Sequence, residues 1–324
     1  MRRDLAIIIT ARMNSERLHG KAMMDVGGKP LIYWIVRRLQ SVGNTILDIT
    51  TDPADDVLDK FGRAMGVPIS RSKTGDVVSS MNAALNYYAP DSKYVMRGLG
   101  DCPFNAVELI EHMCRTMDKF GGDAFQWALP PQVAPVYGSR EFPYSRRGWD
   151  TIVKNATIRE HVDMYYHQHR DMFNTLYHEP PPNVYFRPYR LEVDYLEDIE
   201  LVRGIAKKTS MLSSVQTIIK VLDGDDKLAQ TNHACTEKTG PTTYSYDVKR
   251  SWVKDMEGKP IIDWDGNVWK PIDAKSVPVF CDGGTCLLGQ ASHGSLYLRD
   301  GSQITGDARI ACACGTGKRW KARR

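Results

Sequence analysis

The sequence predicts an α/β fold with an open, mostly parallel sheet, helices on both faces and a small β-rich C-terminal domain. Three observations predict it. Apolar runs of strand length alternate with helical periods over the first 120 residues, the alternation returns near residue 189, and Gly, Thr, Asp and scattered aromatic residues become frequent after residue 225. We therefore divide the chain into a main domain, residues 1–224, and an accessory domain, residues 225–324.

The spacing of apolar residues predicts the first elements. Residues 5–10 are a run of Leu, Ala and Ile closed by Thr, typical of a strand buried on both faces. Residues 30–42 repeat apolar side chains at a helical period behind a proline, which predicts a helix. Further strands are predicted at residues 45–50, 68–71 and 94–97, and further helices at residues 52–65, 76–88 and 106–120.

The second half of the main domain is less regular. Residues 121–183 are rich in Pro, Tyr, Trp and His, which favours a substrate-facing insertion. Residues 189–194 alternate cleanly and predict a returning strand. A helix predicted at residues 197–208 starts acidic and ends basic, as the helix dipole favours, and a short helix at residues 213–222 closes the domain.

Composition excludes several classes of protein. With 42% hydrophobic and 25% charged residues, the chain is typical of a globular protein and unlike disordered, collagen-like or disulfide-dense chains. A net charge of +4 over 324 residues gives weak grounds for nucleic-acid binding by the main domain. No apolar window approaches ~18 residues and no secretory pattern opens the chain, so we expect a cytoplasmic protein without membrane contact and with reduced cysteines.

The loop after the first strand, residues 11–21, places Arg12, Arg17 and Lys21 around Ser15. Three cations at the carboxyl end of a strand suit a polyphosphate, because ligands of open α/β sheets bind at that edge. A solvated basic loop is the alternative. The glycines of a Walker loop or a dinucleotide-binding fingerprint are absent, so neither a P-loop kinase nor a dinucleotide dehydrogenase is favoured.

Two aspartates are predicted at the same edge of the sheet. Asp101 follows the strand at residues 94–97, close to Arg97, and Asp194 ends the strand predicted at residues 189–194. A lone Asp101 would be read as a cap of the following helix. Two carboxylates from different strands could instead share one Mg²⁺, which takes one or two carboxylates and bridges phosphate oxygens.

Several ordered segments together resemble one known family. The segments are residues 9–39, 50–56, 66–68, 71, 75–78, 100–103 (Gly-Asp-Cys-Pro), 159–161 and 190–203. Over about the first 210 residues the chain resembles the cytidylyltransferases that activate sugar acids, namely the spore-coat polysaccharide, acylneuraminate and 3-deoxy-manno-octulosonate types. The resemblance implies the Rossmann-like fold of nucleotide-diphospho-sugar transferases.

The resemblance also implies a reaction, in which a sugar hydroxyl attacks the α-phosphate of CTP and releases pyrophosphate, with Mg²⁺ as cofactor. The residues expected to be catalytic are Arg12, Lys21, Asp101 and Asp194, of which Asp101 and Asp194 bind Mg²⁺. The residues expected to bind the nucleotide are Arg12, Ser15, Arg17, Lys21, Thr51, Asp52, Arg71 and Asp76. The residues expected to contact the acceptor are Arg140, Arg159, Glu160 and His161, the last three on a predicted helix.

The sequence departs from the family pattern in two places. His19 and Asn14 replace a usual Pro and Gly of the basic loop, and Tyr195 and Leu196 replace a usual Thr-Pro pair after Asp194. The region expected to carry the acceptor pocket, residues 128–149, is short, so the sequence leaves the acceptor open.

The accessory domain carries four cysteines in two pairs: Cys281, Cys286, Cys312 and Cys314. Such pairs could hold a structural Zn²⁺, with His233, Cys235 and His293 as other candidate ligands, but neither pair has the spacing Cys-x-x-Cys, so free thiols are an equal alternative. Cys102 and Cys114 are predicted to be buried apolar residues rather than nucleophiles.

Two other functions stay open. The same fold could use another nucleoside triphosphate, or it could serve a catalytically inactive nucleotide- or glycan-binding protein whose C-terminal domain binds nucleic acid or a partner. The combination of Arg12, Lys21, Asp101 and Asp194 favours the enzyme. An oligomer is compatible with either.

Overall fold

The computed structural model describes residues 1–73, 75–128, 136, 138, 141–179, 181, 185, 187, 189–238, 259–269, 280–281, 310–312 and 319–320. The chain forms two compact units. The first comprises Met1–Phe125, Gly138–Thr175 and Arg190–Lys238, and the second comprises Gln126–Tyr137, Leu176–Tyr189 and Thr239–Arg324. The first unit runs past residue 224 to Lys238, and a separate accessory domain of residues 225–324 stays a prediction.

Short strands and ten helices make up the described part of the chain as far as Lys238. The strands are β1 (Arg2–Thr10), β2 (Asp25–Val26), β3 (Lys29–Pro30), β4 (Gly43–Thr50), β5 (Ile69–Ser72), β6 (Tyr94–Leu99), β7 (Ala124–Trp127), β8 (Tyr144–Ser145) and β9 (Thr175–His178). The helices are α1 (Leu31–Gln40), α2 (Asp56–Ala64), α3 (Val77–Tyr88), α4 (Val107–Phe120), α5 (Arg146–Asn155), α6 (Met164–Gln168), α7 (Leu196–Ala206), α8 (Val215–Asp223), α9 (Asp226–Ala229) and α10 (His233–Lys238). Single 3-10 turns lie at Lys21–Met23, Pro53–Asp55 and Arg170–Met172.

The sheet of the first unit is open and mostly parallel. Strands β5, β4, β1 and β6 pair in that order, all parallel, so that Ile8 of β1 lies opposite both Ile46 and Arg97. β8 then pairs antiparallel to both β6 and β7. This confirms the predicted fold class, and it puts the reversal of strand order between β1 and β6, where open α/β sheets bind ligands.

The position of β1 in the core explains its uninterrupted run of apolar residues. Its residues from Leu5 to Ile9 are fully buried, because helices cover both faces of the sheet. Ala6 and Ile8 belong to the cluster that contains residues of α3, α5 and α6. On the other face, Ile7, Ile9 and Leu39 of α1 surround Gly98, and atoms of all three lie within 3.4 Å of the position that a Cβ on Gly98 would take. The expectation of helices on both faces is therefore correct.

The strand predicted at residues 189–194 is wrong. Arg190 makes an isolated bridge and the residues up to Asp194 are irregular. Their amides have partners other than a neighbouring strand: Val193 N donates to Asp101 O at 2.9 Å, and Asp194 N donates to the Asp198 carboxylate at 2.8 Å. The alternating pattern reflects the burial of Leu191 and Val193 rather than a ladder of strand hydrogen bonds.

The described part of the second unit consists of short strands and turns. Its later strands are β10 (Ile261–Ile262), β11 (Val268–Trp269), β12 (Phe280–Cys281), β13 (Ile310–Cys312) and β14 (Arg319–Trp320). Ile261 lies opposite Tyr177 in the parallel pair β9–β10 and opposite Trp269 in the antiparallel pair β10–β11. Asp263 shapes the turn between β10 and β11 by accepting hydrogen bonds from the amides of Asp265 and Asn267.

The expected zinc site falls largely outside the described residues. β12 and β13 pair in parallel and place the backbones of Cys281 and Cys312 opposite each other. Their side chains, and the whole of Cys286, Cys314 and His293, lie outside what the structure describes. A structural zinc ion stays a prediction.

In the described part of the chain, no helix combines the length and the apolar character needed to cross a membrane.

Gly148, in the first turn of α5, permits a close contact with the segment before β7. A Cβ at this position would overlap the carbonyl oxygen of Asp123, a buried residue. We expect Gly148→Ala to lower the free energy of unfolding by about 1–3 kcal/mol, since neither backbone segment can give way cheaply. Thermal and denaturant unfolding measure the change.

Gly224→Ala is the matched control. A Cβ there would meet its nearest atom, the carbonyl oxygen of Lys220, at 3.4 Å, so we expect a change within about 0.5 kcal/mol. Equal stability of the two variants would contradict the packing argument.

Candidate active site

A cleft opens at the carboxyl ends of β1, β4 and β6, with a cavity volume of about 270 Å³. Two groups of polar side chains line it. The first, which we call the lysine cluster, consists of Arg12, Arg17, Lys21, Asp101 and Asp194. The second, which we call the serine floor, consists of Asp48, Ser72, Ser80 and Arg97. Strand order separates their centres, since Asp48 and Ser72 lie on β4 and β5, whereas Asp101 follows β6 on the other side of β1.

Lys21 is the centre of the lysine cluster. Its Nζ donates to Asp101 Oδ2 at 2.7 Å, to Asp194 Oδ1 at 3.0 Å and to the carbonyl oxygen of Val193 at 2.8 Å. The side chain is buried. All three donor positions of the ammonium are thus used, and the predicted convergence of Lys21, Asp101 and Asp194 is present.

The charges of this cluster stabilise one another. Burial lowers the pKa of Lys21, but the carboxylates of Asp101 and Asp194 outweigh burial and raise the pKa above its ordinary value. Burial likewise raises the pKa of Asp194, and Lys21, Arg17 and Arg190 outweigh it and hold that pKa below its ordinary value. Lysine and aspartate are therefore both charged near neutral pH.

Asp194 is held from two sides. Arg190 Nη2 lies 2.6 Å from Asp194 Oδ2, and Arg190 Nε lies 3.3 Å from Asp198 Oδ1. Asp198 also accepts from the amides of Asp194 and Tyr195, which begins α7 with a capping interaction. Arg17, half exposed, reaches Asp194 Oδ2 at 3.0 Å and lies over the ring of Tyr195.

Two contacts fix the loops that carry the cluster. The buried Asp55 carboxylate accepts from the amides of Met13 and Thr50 at 2.7 and 2.9 Å, which ties the basic loop to the end of β4. Gly100 N donates to Thr10 O at 3.0 Å, and a Cβ on Gly100 would lie only 2.7 Å from that oxygen. A glycine before Asp101 is therefore needed for the close approach of the two loops.

Three carboxylates are close enough to bind one metal ion. Oxygen atoms of Asp101, Glu192 and Asp194 lie within 4.8 Å of one another. Oxygen donors of this kind are those that Mg²⁺ and Mn²⁺ prefer. Sequence reasoning missed Glu192, although its position two residues before Asp194 in an alternating segment was a signal that both side chains share a face.

Comparison with known proteins identifies the family. A profile of the cytidylyltransferase family matches residues 6–213. The chain belongs to the cytidylyltransferase family. It is therefore a nucleotidyltransferase, as the sequence resemblance implied.

Individual relatives agree with this assignment. The enzyme is 25% identical over 215 residues to the spore coat polysaccharide biosynthesis protein SpsF of Bacillus subtilis, covering 63% of this chain and 87% of that protein. It is 32% identical over 118 residues to a 3-deoxy-manno-octulosonate cytidylyltransferase of Anaeromyxobacter dehalogenans, covering 36% and 48%. The structure of a cytidylyltransferase from Leptospira borgpetersenii superposes with a TM-score of 0.63 at 20% identity, covering 71% of this chain and 98% of that one, which shows a shared fold.

The other expected nucleotide contacts of the enzyme lie in different settings. Arg12 and Ser15 line the cleft. Arg71 instead bonds to Thr50 O and Asp52 O and pairs with Asp56, and Asp76 caps α3 and pairs with Arg159. Of the described residues, those lining the cleft do not include Thr51, Asp52, Arg71 or Asp76, and their contact with a nucleotide stays a prediction.

The expected acceptor residues are only partly near the cleft. Glu160 lines it, whereas Arg159 is engaged by Asp76 and by the carbonyl oxygens of Val153 and Ala156. Residues 159–161 form a loop between α5 and α6, so the helix predicted there is wrong, and the next helix begins at Met164. His161 is exposed, and Arg140 lies outside the described residues.

The buried thiols agree with the prediction made for them. Cys102 and Cys114 are buried, and burial raises the pKa of both, to about 12 for Cys114. Neither thiol is a nucleophile at neutral pH.

Arg190 of the enzyme pairs with two buried aspartates, Asp194 and Asp198. Replacing it by methionine leaves Asp194 and Asp198 with one cationic partner fewer in a site where both are about 1% exposed. We expect Arg190→Met to lower the free energy of unfolding by about 3–5 kcal/mol at pH 7, measured by denaturant unfolding.

The pH dependence follows from the direction of the shift. Because the folded-state pKa of Asp194 is depressed, its ionised form stabilises the fold above the unfolded pKa, and this contribution is lost as pH falls through the folded pKa. Without Arg190 that loss should begin at higher pH. Arg115→Met, which breaks an exposed pair with Glu111, is the control and should cost about 0–1 kcal/mol; a similar cost for both variants would contradict the argument.

Proposed function

We propose that this cytidylyltransferase is a Mg²⁺-dependent enzyme that couples CTP to a sugar acid, giving a CMP-sugar and pyrophosphate. The observation that supports it most is the convergence of Lys21 with the carboxylates of Asp101 and Asp194 in a cleft also lined by Arg12 and Arg17, with the Glu192 carboxylate close to both aspartates. The name of one relative, a 3-deoxy-manno-octulosonate cytidylyltransferase, favours a sugar acid as acceptor, and the name of another, a spore coat polysaccharide biosynthesis protein, agrees with a carbohydrate.

The carboxylates fit the proposed metal. Asp101, Glu192 and Asp194 supply hard oxygen ligands within 4.8 Å of one another. Mg²⁺ is held by one or two carboxylates together with phosphate oxygens and water, and such a set is available here. When bound, the ion would neutralise phosphate charge and orient the triphosphate.

The cations of the chain supply the rest of the proposed chemistry. A sugar hydroxyl oxygen forms a bond to the α-phosphorus of CTP and loses its proton to solvent water, and the bond from that phosphorus to the bridging oxygen of the leaving pyrophosphate breaks. Negative charge grows on the phosphoryl oxygens and on pyrophosphate during this step. Lys21, Arg12 and Arg17 are positioned to stabilise that charge, and positioned charge rather than a covalent nucleophile accounts for most catalysis of this type.

Asp101→Asn tests the catalytic proposal. Asparagine keeps the size of the side chain and can still accept a hydrogen bond from Lys21, but it removes a negative charge from the metal and lysine site. We expect pyrophosphate release from CTP, Mg²⁺ and a panel of sugar acids to fall by about 100-fold or more, while the protein still folds because Asp194 continues to pair with Lys21.

Asp150→Asn is the control for this variant. Asp150 forms an exposed pair with Arg146 on α5, so its replacement should leave pyrophosphate release within about twofold. Full activity of Asp101→Asn would contradict the role of Asp101. No pyrophosphate release by the natural protein with any sugar acid would contradict the proposed reaction.

Glu192→Gln tests the metal site without turnover. We expect the affinity for Mn²⁺, measured by the loss of the free-ion signal in electron paramagnetic resonance, to fall about tenfold, because one of three carboxylate ligands loses its charge. Glu200→Gln removes an exposed carboxylate of α7 that pairs with Arg203 and should bind Mn²⁺ like the natural protein. Equal affinity in the two variants would remove Glu192 from the site.

A further inference from the structure

We infer that Asp48 selects the nucleobase, by accepting a hydrogen bond from the exocyclic amino group of cytosine where uracil would present a carbonyl oxygen. This inference rests on the proposed function, which it deepens by naming the residue that distinguishes CTP from UTP. It concerns the serine floor of the cleft, which the proposed phosphate chemistry does not use.

Asp48 is an acidic residue flanked in β4 by the apolar residues Ile46, Leu47 and Ile49. It lies on β4, opposite Thr10 of β1 and Ser70 of β5, and it is only 5% exposed although it lines the cleft. Its neighbours in the burial pattern of β4, from Thr45 to Ile49, are all buried. Placing a carboxyl group at such a position costs free energy unless its oxygens find donors.

One oxygen of Asp48 has a donor and the other does not. Ser80 Oγ of α3 donates to Asp48 Oδ2, and the hydroxyls of Ser80 and Ser72 lie 2.5 Å apart. Asp48 Oδ1 is buried and has no hydrogen-bond partner among the residues that the structure describes. A buried acceptor without a donor, in the wall of a ligand cleft, indicates a ligand that brings the donor.

The chemistry of a nucleotide leaves the base as the source of that donor. Phosphate oxygens are acceptors and would be repelled by the Asp48 carboxylate. Arg97, the cation of the serine floor, already donates to Thr10 Oγ1, whereas the lysine cluster contains three cations. Ser72 and Ser80, whose side chains are small and uncharged, line the cleft beside Asp48. Of the two pyrimidine bases, cytosine has an amino donor at the position where uracil has a carbonyl acceptor, so a carboxylate there accepts the first and repels the second.

The charge state of Asp48 gives the inference a pH dependence. Burial raises the pKa of Asp48 to about 6, against the opposing effects of the nearby Ser80 and Ser70 hydroxyls and of the charge of Arg97 on β6. Lys73 and Glu160 are the other charged groups that line this part of the cleft near the ends of β5 and α5. Ionised Asp48 is the acceptor, so an amino group that donates to it is favoured above about pH 6 and loses this partner below.

The experiment measures binding of CTP, UTP and ATP separately, by calorimetry with Mg²⁺ and no sugar acid. We expect the natural protein to bind CTP at least about tenfold more tightly than UTP. In Asp48→Asn the amide can donate to the uracil carbonyl, so the ratio of CTP to UTP affinity should fall about tenfold or more. Asp150→Asn, which changes an exposed residue of α5, is the matched control and should keep the ratio of the natural protein.

Several outcomes would overturn the inference. They are equal affinity of the natural protein for CTP and UTP, an unchanged ratio in Asp48→Asn, and ATP binding as tight as CTP binding with the same loss in the variant. If a ribose hydroxyl were the donor to Asp48, the ratio of CTP to UTP affinity would be unchanged in Asp48→Asn, because all three nucleotides carry that hydroxyl.

A pH series on the natural protein keeps the test valid if Asp48→Asn does not fold. With a pKa of about 6, the ionised fraction falls about fourfold between pH 7.5 and pH 5.5, and the ratio of CTP to UTP affinity should fall by the same factor. Taking the ratio cancels the effect of the titration of the triphosphate group, which is the same in CTP and UTP. A ratio that is constant with pH contradicts the inference.

The binding readout separates this inference from the proposed function. A clear preference for CTP that Asp48→Asn abolishes, without pyrophosphate release from any sugar acid, would support Asp48 and contradict only the coupling reaction. Pyrophosphate release from CTP, with a base preference that Asp48→Asn leaves unchanged, would support the coupling reaction and contradict the role of Asp48.

Discussion

The buried ammonium of Lys21 is the interaction on which the site depends. It joins the loop after β1 to Asp101, which follows β6, and to Asp194, which precedes α7. These two partners are 80 and 173 positions away from Lys21 in the sequence. Charges this deeply buried are stable only when they are paired and hydrogen-bonded, so each of these loops is held in place by the other two. The geometry of the cleft is therefore a consequence of charge pairing as much as of packing.

The lysine cluster is close to charge balance, and this limits what can enter it. Asp194 is engaged by Lys21 and Arg17 from the cleft and by Arg190 from behind. In the proposed reaction, a triphosphate would bring anionic oxygens that compete for Lys21 and Arg17, which would release carboxylate oxygens of Asp101 and Asp194 toward a cation. Nucleotide and metal binding should thus favour each other, whereas Arg190, which lies in the protein interior, keeps Asp194 ionised throughout.

The parts of this structure that the sequence could predict are those set by local pattern or by topology. The apolar run of β1 and the helical period of α1 are local, and the meeting of Lys21 with Asp101 follows from the common edge of parallel strands. Asp194 was placed correctly for the wrong reason, because its amide is bound by Asp198 rather than by a strand. Glu192, Arg190 and Asp48 were not found, since their roles depend on partners far away or on burial that a single sequence does not display.

The two polar groups of the cleft solve different electrostatic problems. In the lysine cluster every buried charge has a partner of opposite sign, so the cluster can stabilise charge that moves during a reaction. The serine floor holds a carboxyl group whose Oδ1 has no donor among the described residues, an arrangement that costs stability in the free protein. A ligand can recover this cost only if it brings a hydrogen-bond donor to Asp48 Oδ1. The proposed selection of the base and the proposed stabilisation of the phosphates should therefore be separable by mutation, although one cleft is proposed for both.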